Sequence, residues 1–324
     1  MHAAVVHAWG TPPTYTEVPD PEPRDGTVVA TVEASALTNL TRGIVSGKHY
    51  ASREIGLPAI PGVDGVARLE DGRRVYASAI SAHGMMAERT AIDPAGTVEI
   101  PAGVDSVTAA ALPNPGTSAW MALAHGAAIR PGQRILVLGA TGVTGATAVQ
   151  LATSMFGAGH VTVAGRDAER LDWLLGVGAD DAIAMRDDDL ATRVGELHAA
   201  EPFDAVLDYL WGEPAAVTLR ALAASHPSTH YHPTRWVQIG SMAGDEIALP
   251  AGVLRGTAIT VSGIGFGSIP PEVIARSRTE ALPLLFDMVA DGRLHLATAE
   301  RPLADVERVW TTPEPSGTRV VLVP

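Results

Sequence analysis

The sequence predicts an α/β protein in two parts, a mostly-β domain of short strands and a doubly wound parallel sheet domain clad in helices. Three observations carry this. Residues 1 to 113 are short apolar segments broken by Pro and Gly. After Leu112-Pro113-Asn114-Pro115-Gly116, apolar strands alternate with helical segments. Within that second region, Arg134 to Gly145 reads as a buried strand, a glycine turn and the start of a helix. A chain of 324 residues is long enough for two such cores.

In the first region, Gly26 to Ala34 and Arg73 to Ala77 are strands of a small barrel-like domain. The second region carries strands at 134–139, 160–164, 181–185, 203–209, 235–240 and 258–264, with helices between the earlier ones. Such a Rossmann sheet binds ligands in the crevice at the carboxyl ends of its strands. Beyond Pro271, Leu282, Leu285, Phe286 and Val289 give one helix an apolar side. The final strand, Thr318 to Val323, is expected to return to the first domain. The expected boundaries are 1–113 with 266–324 for the β domain and 114–265 for the parallel-sheet domain.

The glycine turn comprises Gly139, Ala140, Thr141, Gly142, Val143, Thr144 and Gly145. It aims the backbone N–H groups of a helix N-terminus at whatever lies above it, a setting for phosphate. The spacing departs from G-x-G-x-x-G, because Thr141 stands where the second glycine would be. Alone, the turn is equally compatible with an ordinary strand-to-helix connection. The next strand, His160 to Gly165, lies one βαβ unit downstream and ends in Gly165-Arg166-Asp167. An arginine there neutralises a 2′-phosphate, whereas an isolated acid would bind a ribose 2′-OH. Arg170, four residues on, shares the helix face of Arg166 and offers a second contact; Asp167 is a plausible N-cap. The cofactor inferred is NADP(H). The competing reading pairs Arg166 with Asp167 or Glu169 at the surface.

Composition removes several classes of function. A net charge of −13 has the wrong sign for nucleic acid or an anionic membrane as main partner. The chain has neither a membrane-length apolar run nor a basic leader, so a cytoplasmic protein is expected. Zero cysteines exclude disulfides, thiolate nucleophiles and cysteine-bound zinc. His230 and His232 sit in a polar loop with no third ligand, and no metal is expected.

Four segments together resemble one family. Pro61-Gly62-Val63-Asp64-Gly65-Val66, Asn114-Pro115-Gly116-Thr117-Ser118-Ala119-Trp120, the glycine turn and Leu175-Gly176-Val177-Gly178-Ala179-Asp180 are similar to the zinc-independent quinone oxidoreductase branch of the medium-chain dehydrogenase/reductase superfamily. The resemblance spans nearly the whole chain and implies a GroES-like β domain beside the Rossmann domain. It sets Val63-Asp64 where zinc-dependent relatives carry G-H-E. It also implies that Thr117 opens the helix bordering the nicotinamide and caps it. Gly240 and Ser241, at the carboxyl end of a strand, are expected to approach the nicotinamide half, and the glycines of Gly263-Ile264-Gly265 suit a backbone passing close to it, with Phe266 as a pocket wall. The strand at 258–264 is expected to pair with its twin in a homodimer. In the substrate cleft the family has an N-x-x-D pattern; here Asn39 and Thr41 occupy that segment, so no general base is assigned. Tyr50 either orients the substrate oxygen and donates a proton or serves as a packing residue. Asp64 is expected to serve structure by accepting backbone N–H groups, and Arg319 to lie at the surface.

Without a Lewis acid, hydride is best delivered to a conjugated acceptor, whose charge spreads onto a phenolate or enolate oxygen. The function expected is NADPH-dependent reduction of quinones or other α,β-unsaturated carbonyls. Enoyl-thioester reduction on the same scaffold, and an NADPH-binding redox sensor with little turnover, are the alternatives.

Overall fold

The computed structural model describes residues 1–23, 26–79, 81–225, 231–265 and 267–324. The chain divides into a first unit, Met1–Asn114 with Arg278–Pro324, and a second, Pro115–Ser277. The return to the first unit comes after Ser277 and not after residue 265. The intervening helix Pro271–Arg276 stays with the second unit, where the Arg276 guanidinium lies 5.8 Å from the Trp120 ring centroid.

The first unit contains β1 (His2–Val5), β2 (Thr14–Glu17), β3 (Val28–Ala36), β4 (Asp64–Arg68), β5 (Arg74–Ser78), β6 (Arg89–Ile92) and β7 (Val98–Glu99). After the excursion into the second unit it is completed by β14 (Ala297–Pro302) and β15 (Thr318–Val323). β1 and β2 form a hairpin; the others run in the order β14-β15-β3-β4-β5-β7, with β6 on β3. Alternation buries Ala30 and Val32 of β3 against Ala67, Val75, Met85 and Ile92. The last strand returns as the sequence predicts, pairing antiparallel with β3 through Val321–Ala36 and Leu322–Ser35. β14, with its half-buried and exposed side chains, gives no apolar run and was not anticipated. The helix Leu282–Ala290 buries Leu282, Leu285, Phe286 and Met288, while Val289 is only half-buried.

The second unit carries β8 (Arg134–Leu138), β9 (His160–Gly165), β10 (Asp181–Ala184), β11 (Ala205–Asp208), β12 (Pro233–Gln238) and β13 (Ala258–Gly263). All are parallel, in the order β10-β9-β8-β11-β12-β13. This is the Rossmann order, reversing direction between β8 and β11. Ile135 to Leu138 are completely buried, as covering on both faces requires. The strand expected at 203–209 is shorter because Asp208 ends it: its Oδ1 accepts from the Leu210 and Trp211 amides, both at 2.9 Å, and turns the chain. Among the described residues, no helix is long and apolar enough to cross a membrane.

Candidate active site

The glycine turn closes β8 at the reversal point of the second unit. Gly139 and Ala140 donate to the Ala164 carbonyl at 2.9 and 3.1 Å, and Gly142 donates to the Gly139 carbonyl at 3.2 Å, so neighbouring strands fix the turn. Gly139 has φ +80, which glycine tolerates, and a Cβ there would meet Leu210 Cδ2 at 2.9 Å. The helix Val143–Ser154 starts directly on the turn. A Cβ on Gly145 would sit 2.5 Å from the Gly139 carbonyl oxygen, so only glycine allows that approach. Gly142 is the N-cap and offers no side-chain acceptor. The first-turn amides of Val143, Thr144 and Gly145 therefore keep the unsatisfied donors and positive potential that bind phosphate. Thr141, in the second-glycine position, is turned inward and buried against Gly165.

Beyond β9 the charges separate cleanly. Asp167 caps the helix Ala168–Leu175, its carboxylate accepting from the Arg170 amide at 3.1 Å. Arg166 is exposed and has no hydrogen-bond or ion-pair partner among the described residues, so the pairing with Asp167 or Glu169 is not formed. Arg170 is half-buried, with its guanidinium 4.2 Å from the Trp173 ring centroid. Its Nε is buried without a hydrogen-bond partner, and burial lowers its pKa while Asp167 opposes the shift. One free and one under-satisfied guanidinium at this point suit a phosphate with several acceptor oxygens.

At the carboxyl ends of the neighbouring strands, Gly240 donates to the Asp208 carbonyl at 3.2 Å, and a Cβ on it would lie 2.8 Å from the Tyr209 oxygen. Ser241 follows, exposed. Ile264 extends the β12–β13 ladder through its amide to Gln238 at 2.9 Å. Gly263 and Gly265 are tied together by Ser268, whose hydroxyl donates to the Gly263 carbonyl at 3.0 Å and accepts from the Gly265 amide at 2.9 Å. Phe266 lies outside the described residues, as does His230. Thr117 departs from expectation. Its helix begins at Pro113, so Thr117 lies in mid-helix and cannot cap it; proline at the first helical position forfeits no hydrogen bond.

In the first unit, Thr38 is the N-cap of the helix Asn39–Val45, accepting from the Thr41 amide at 3.1 Å. Asn39 is exposed on the first helical turn, whereas Thr41 is buried with its hydroxyl 3.0 Å from that of Thr38. Tyr50 opens the short helix Tyr50–Glu54; it is 59% exposed and its ring lies 4.1 Å from that of His49. Of these three candidates, only Thr41 lines a pocket walled by Trp9, Ile44, Ile55 and Val63. Trp9 and Ile55 were not anticipated, because each lies outside any regular strand or helix periodicity.

Asp64 and Arg319 are buried together. Asp64 Oδ2 accepts from the Tyr76 hydroxyl at 3.3 Å, while Oδ1 has no hydrogen-bond partner. Its support is thus a phenol and a charge, not the backbone amides expected. Burial raises the Asp64 pKa to about 6, with Arg319 pulling the other way. Arg319 is 8% exposed, which corrects the surface expectation; it donates to the Leu37 carbonyl at 3.3 Å.

The glycine turn, the reversal of strand order and the free arginine beyond β9 define a dinucleotide-binding Rossmann unit carried in one chain with a β domain. A family model described as zinc-binding dehydrogenase matches residues 143–285. The chain is 29% identical to the probable NADPH-dependent quinone reductase tdiC of Emericella nidulans, over the full length of both. Its fold superposes on the quinone oxidoreductase of Thermus thermophilus, also solved in complex with NADPH, with a TM-score of 0.81, 27% identity and full coverage of both chains. The Escherichia coli quinone oxidoreductase complexed with NADPH shares the fold at a TM-score of 0.81 and 21% identity, again over both full chains. Over its full length the chain is similar in sequence and fold to members of the quinone oxidoreductase branch of the medium-chain dehydrogenase/reductase superfamily. The zinc in the family's description does not fit this donor set. There is no cysteine, and among the described residues no three His, Asp or Glu side chains converge.

Proposed function

We propose that the protein is an NADPH-dependent oxidoreductase that reduces quinones or other α,β-unsaturated carbonyls. The observation that carries the reading is Arg166, exposed and unpaired among the described residues just past β9. The residues that would hold the cofactor are Gly139 to Gly145 at the pyrophosphate and Arg166 with Arg170 at the 2′-phosphate. Thr117, Gly240, Ser241, Gly263, Ile264 and Gly265 would hold the nicotinamide half. When bound, NADPH supplies the hydride. The protein's share is orientation and exclusion of water. Because the donor set does not suit zinc, acceptors that delocalise the new charge are favoured. Asn39 and Tyr50, both exposed, are the residues we assign to donating hydrogen bonds to such an oxygen.

A homodimer joined along the outer edge of β13 completes the reading, since among the described residues that strand pairs on one side only. The deciding experiment follows the absorbance of reduced nicotinamide over a panel of quinones and enones. Turnover with NADPH, and weaker turnover with NADH, is expected. Tight NADPH binding with no oxidation by any acceptor would overturn the reductase and leave a binding protein.

A further inference from the structure

The turn that follows β11 combines backbone strain with a buried charge. Trp211 has φ +53 and Gly212 φ +60, so the chain takes two successive left-handed steps, the first at a bulky residue that disfavours it. Asp208 holds Trp211 there. Its carboxylate is completely buried, and Oδ1 accepts from the Leu210 and Trp211 amides, both at 2.9 Å, which folds the segment into this shape. Oδ2 has no hydrogen-bond partner among the described residues. A half-satisfied buried carboxylate and a strained tryptophan are both costly, and such costs gather where a fold must fix the geometry of a site.

The turn lies between two segments of the second unit and touches both. On one side the Tyr209 amide donates to the Leu138 carbonyl at 3.2 Å, just before the glycine turn, and Leu210 packs so closely that a Cβ on Gly139 would meet its Cδ2 at 2.9 Å. On the other side its carbonyls carry the segment after β12. Asp208 accepts from the Ile239 and Gly240 amides at 2.8 and 3.2 Å, Tyr209 from Met242 at 3.4 Å, and Leu210 from Ala243 at 2.7 Å. Gly212 closes the contact, since a Cβ on it would lie 2.6 Å from the Ala243 oxygen. The offset between the glycine turn and Gly240-Ser241 is therefore set by the shape of one turn, and that shape by one carboxylate.

We infer that Asp208 is a positioning residue, which fixes the segment Gly240 to Ala243 at the distance from the glycine turn that a bound NADPH spans, and acts on the nicotinamide half through that segment. The inference rests on the assignment of the nicotinamide half to Gly240 and Ser241 made above. The 2′-phosphate end is assigned to Arg166 and Arg170, past β9 on the far side of β8, and does not depend on this turn.

Binding separates the two ends. Isothermal titration calorimetry on the full chain compares NADPH with adenosine 2′,5′-bisphosphate, which keeps the 2′-phosphate end and lacks nicotinamide. Asp208→Ala should weaken NADPH roughly tenfold, because the loosened segment must then be ordered on binding, and leave the bisphosphate within about twofold. Asp208→Asn keeps an Oδ1 acceptor and should bring NADPH back to within about twofold of the parent. A merely structural role moves both ligands together; that result, or Asn no better than Ala, overturns the inference. Ser241→Trp tests the underlying assignment, since it sets a bulky side chain at an exposed position of the segment and should weaken NADPH while sparing the bisphosphate. NADPH unchanged in Ser241→Trp removes the nicotinamide from this segment and the inference with it. A loss in Ser241→Trp with no selective loss in Asp208→Ala overturns the role of Asp208 alone. If Asp208→Ala does not fold, Ala243→Pro deletes the amide that donates to Leu210 in an exposed stretch and should show the same selective loss of NADPH; parental affinity for NADPH in that variant overturns the inference.

Discussion

Thr141 and Gly165 interlock at the base of the dinucleotide turn. A Cβ built on Gly165 would overlap Thr141 Cγ2 and lie 3.0 Å from its Oγ1. Gly165 is therefore a glycine because of its neighbour, since it is not among the glycines with positive φ. The threonine that breaks the usual three-glycine spacing is accommodated by a vacancy at the end of β9. Gly165→Ala should cost about 1–3 kcal/mol through overpacking, and most of that loss should return when Thr141→Ser removes the methyl group. Denaturant unfolding of the two single variants and the double variant reads the coupling. Equal losses with Thr and Ser at position 141 would dismiss the interlock.

Arg166 and Arg170 stand in different surroundings, so their removal should differ. Arg166 is exposed and free among the described residues, and Arg166→Ala should weaken NADPH about tenfold or more, the worth of charge-assisted hydrogen bonds, while leaving NADH unchanged. Arg170 also packs on Trp173 and is partly desolvated. Arg170→Ala should therefore lower thermal stability as well as NADPH affinity. Fluorescence titration of both cofactors against each variant checks this; an equal loss for NADH and NADPH in Arg166→Ala would sink the 2′-phosphate assignment.

Arg166 was legible in the sequence because its place is fixed by one βαβ unit: a buried strand, a helix and a second strand each leave a local pattern. The six parallel strands were legible for the same reason, as runs such as Ile135 to Leu138 are buried on both faces. Thr117 was misplaced because helix starts follow local cap chemistry, and Pro113 starts the helix earlier than the resemblance implied. Asp64 and Arg319 gave no warning of their partnership. They lie far apart in the chain and meet only when the last strand joins the first unit's sheet. Trp9 and Ile55 become neighbours through loop geometry, which carries no periodicity to read.

Among the described residues, β13 has β12 on one side and no strand on the other. Thr260 and Ser262 are exposed along it, and the strand carries no charge to discourage pairing. The parent chain should sediment as a dimer, and Thr260→Lys, which sets two like charges close together across such a joint, should shift the mass toward half. Sedimentation of both proteins at equal concentration decides the matter. A monomeric parent would end the proposal, and so would a variant that stays fully dimeric.

Asp64 sets a pH signature opposite to that of an ordinary surface carboxylate. Burial raises its folded pKa to about 6 from the usual 3.8, despite the pull of Arg319, whose own pKa burial lowers to about 10. The folded state therefore holds the proton more tightly than the unfolded chain. The associated stability is fully present below about pH 3.8 and is lost as pH rises through about 6. A shift of this size corresponds to roughly 2–3 kcal/mol. At neutral pH the carboxylate is ionised in a site whose net effect disfavours its charge despite Arg319, so Asp64→Asn, which mimics the protonated side chain, should raise stability there by up to about 2–3 kcal/mol. Asparagine does not titrate. The parent should thus gain roughly 1.4 kcal/mol of unfolding free energy relative to Asp64→Asn between about pH 7.5 and about pH 5, because only the parent gains from protonation. Urea unfolding of both proteins across that range measures the difference, and a difference that stays constant, or in which the parent loses ground to the variant as the solution is acidified, would mean that Asp64 does not carry a raised pKa.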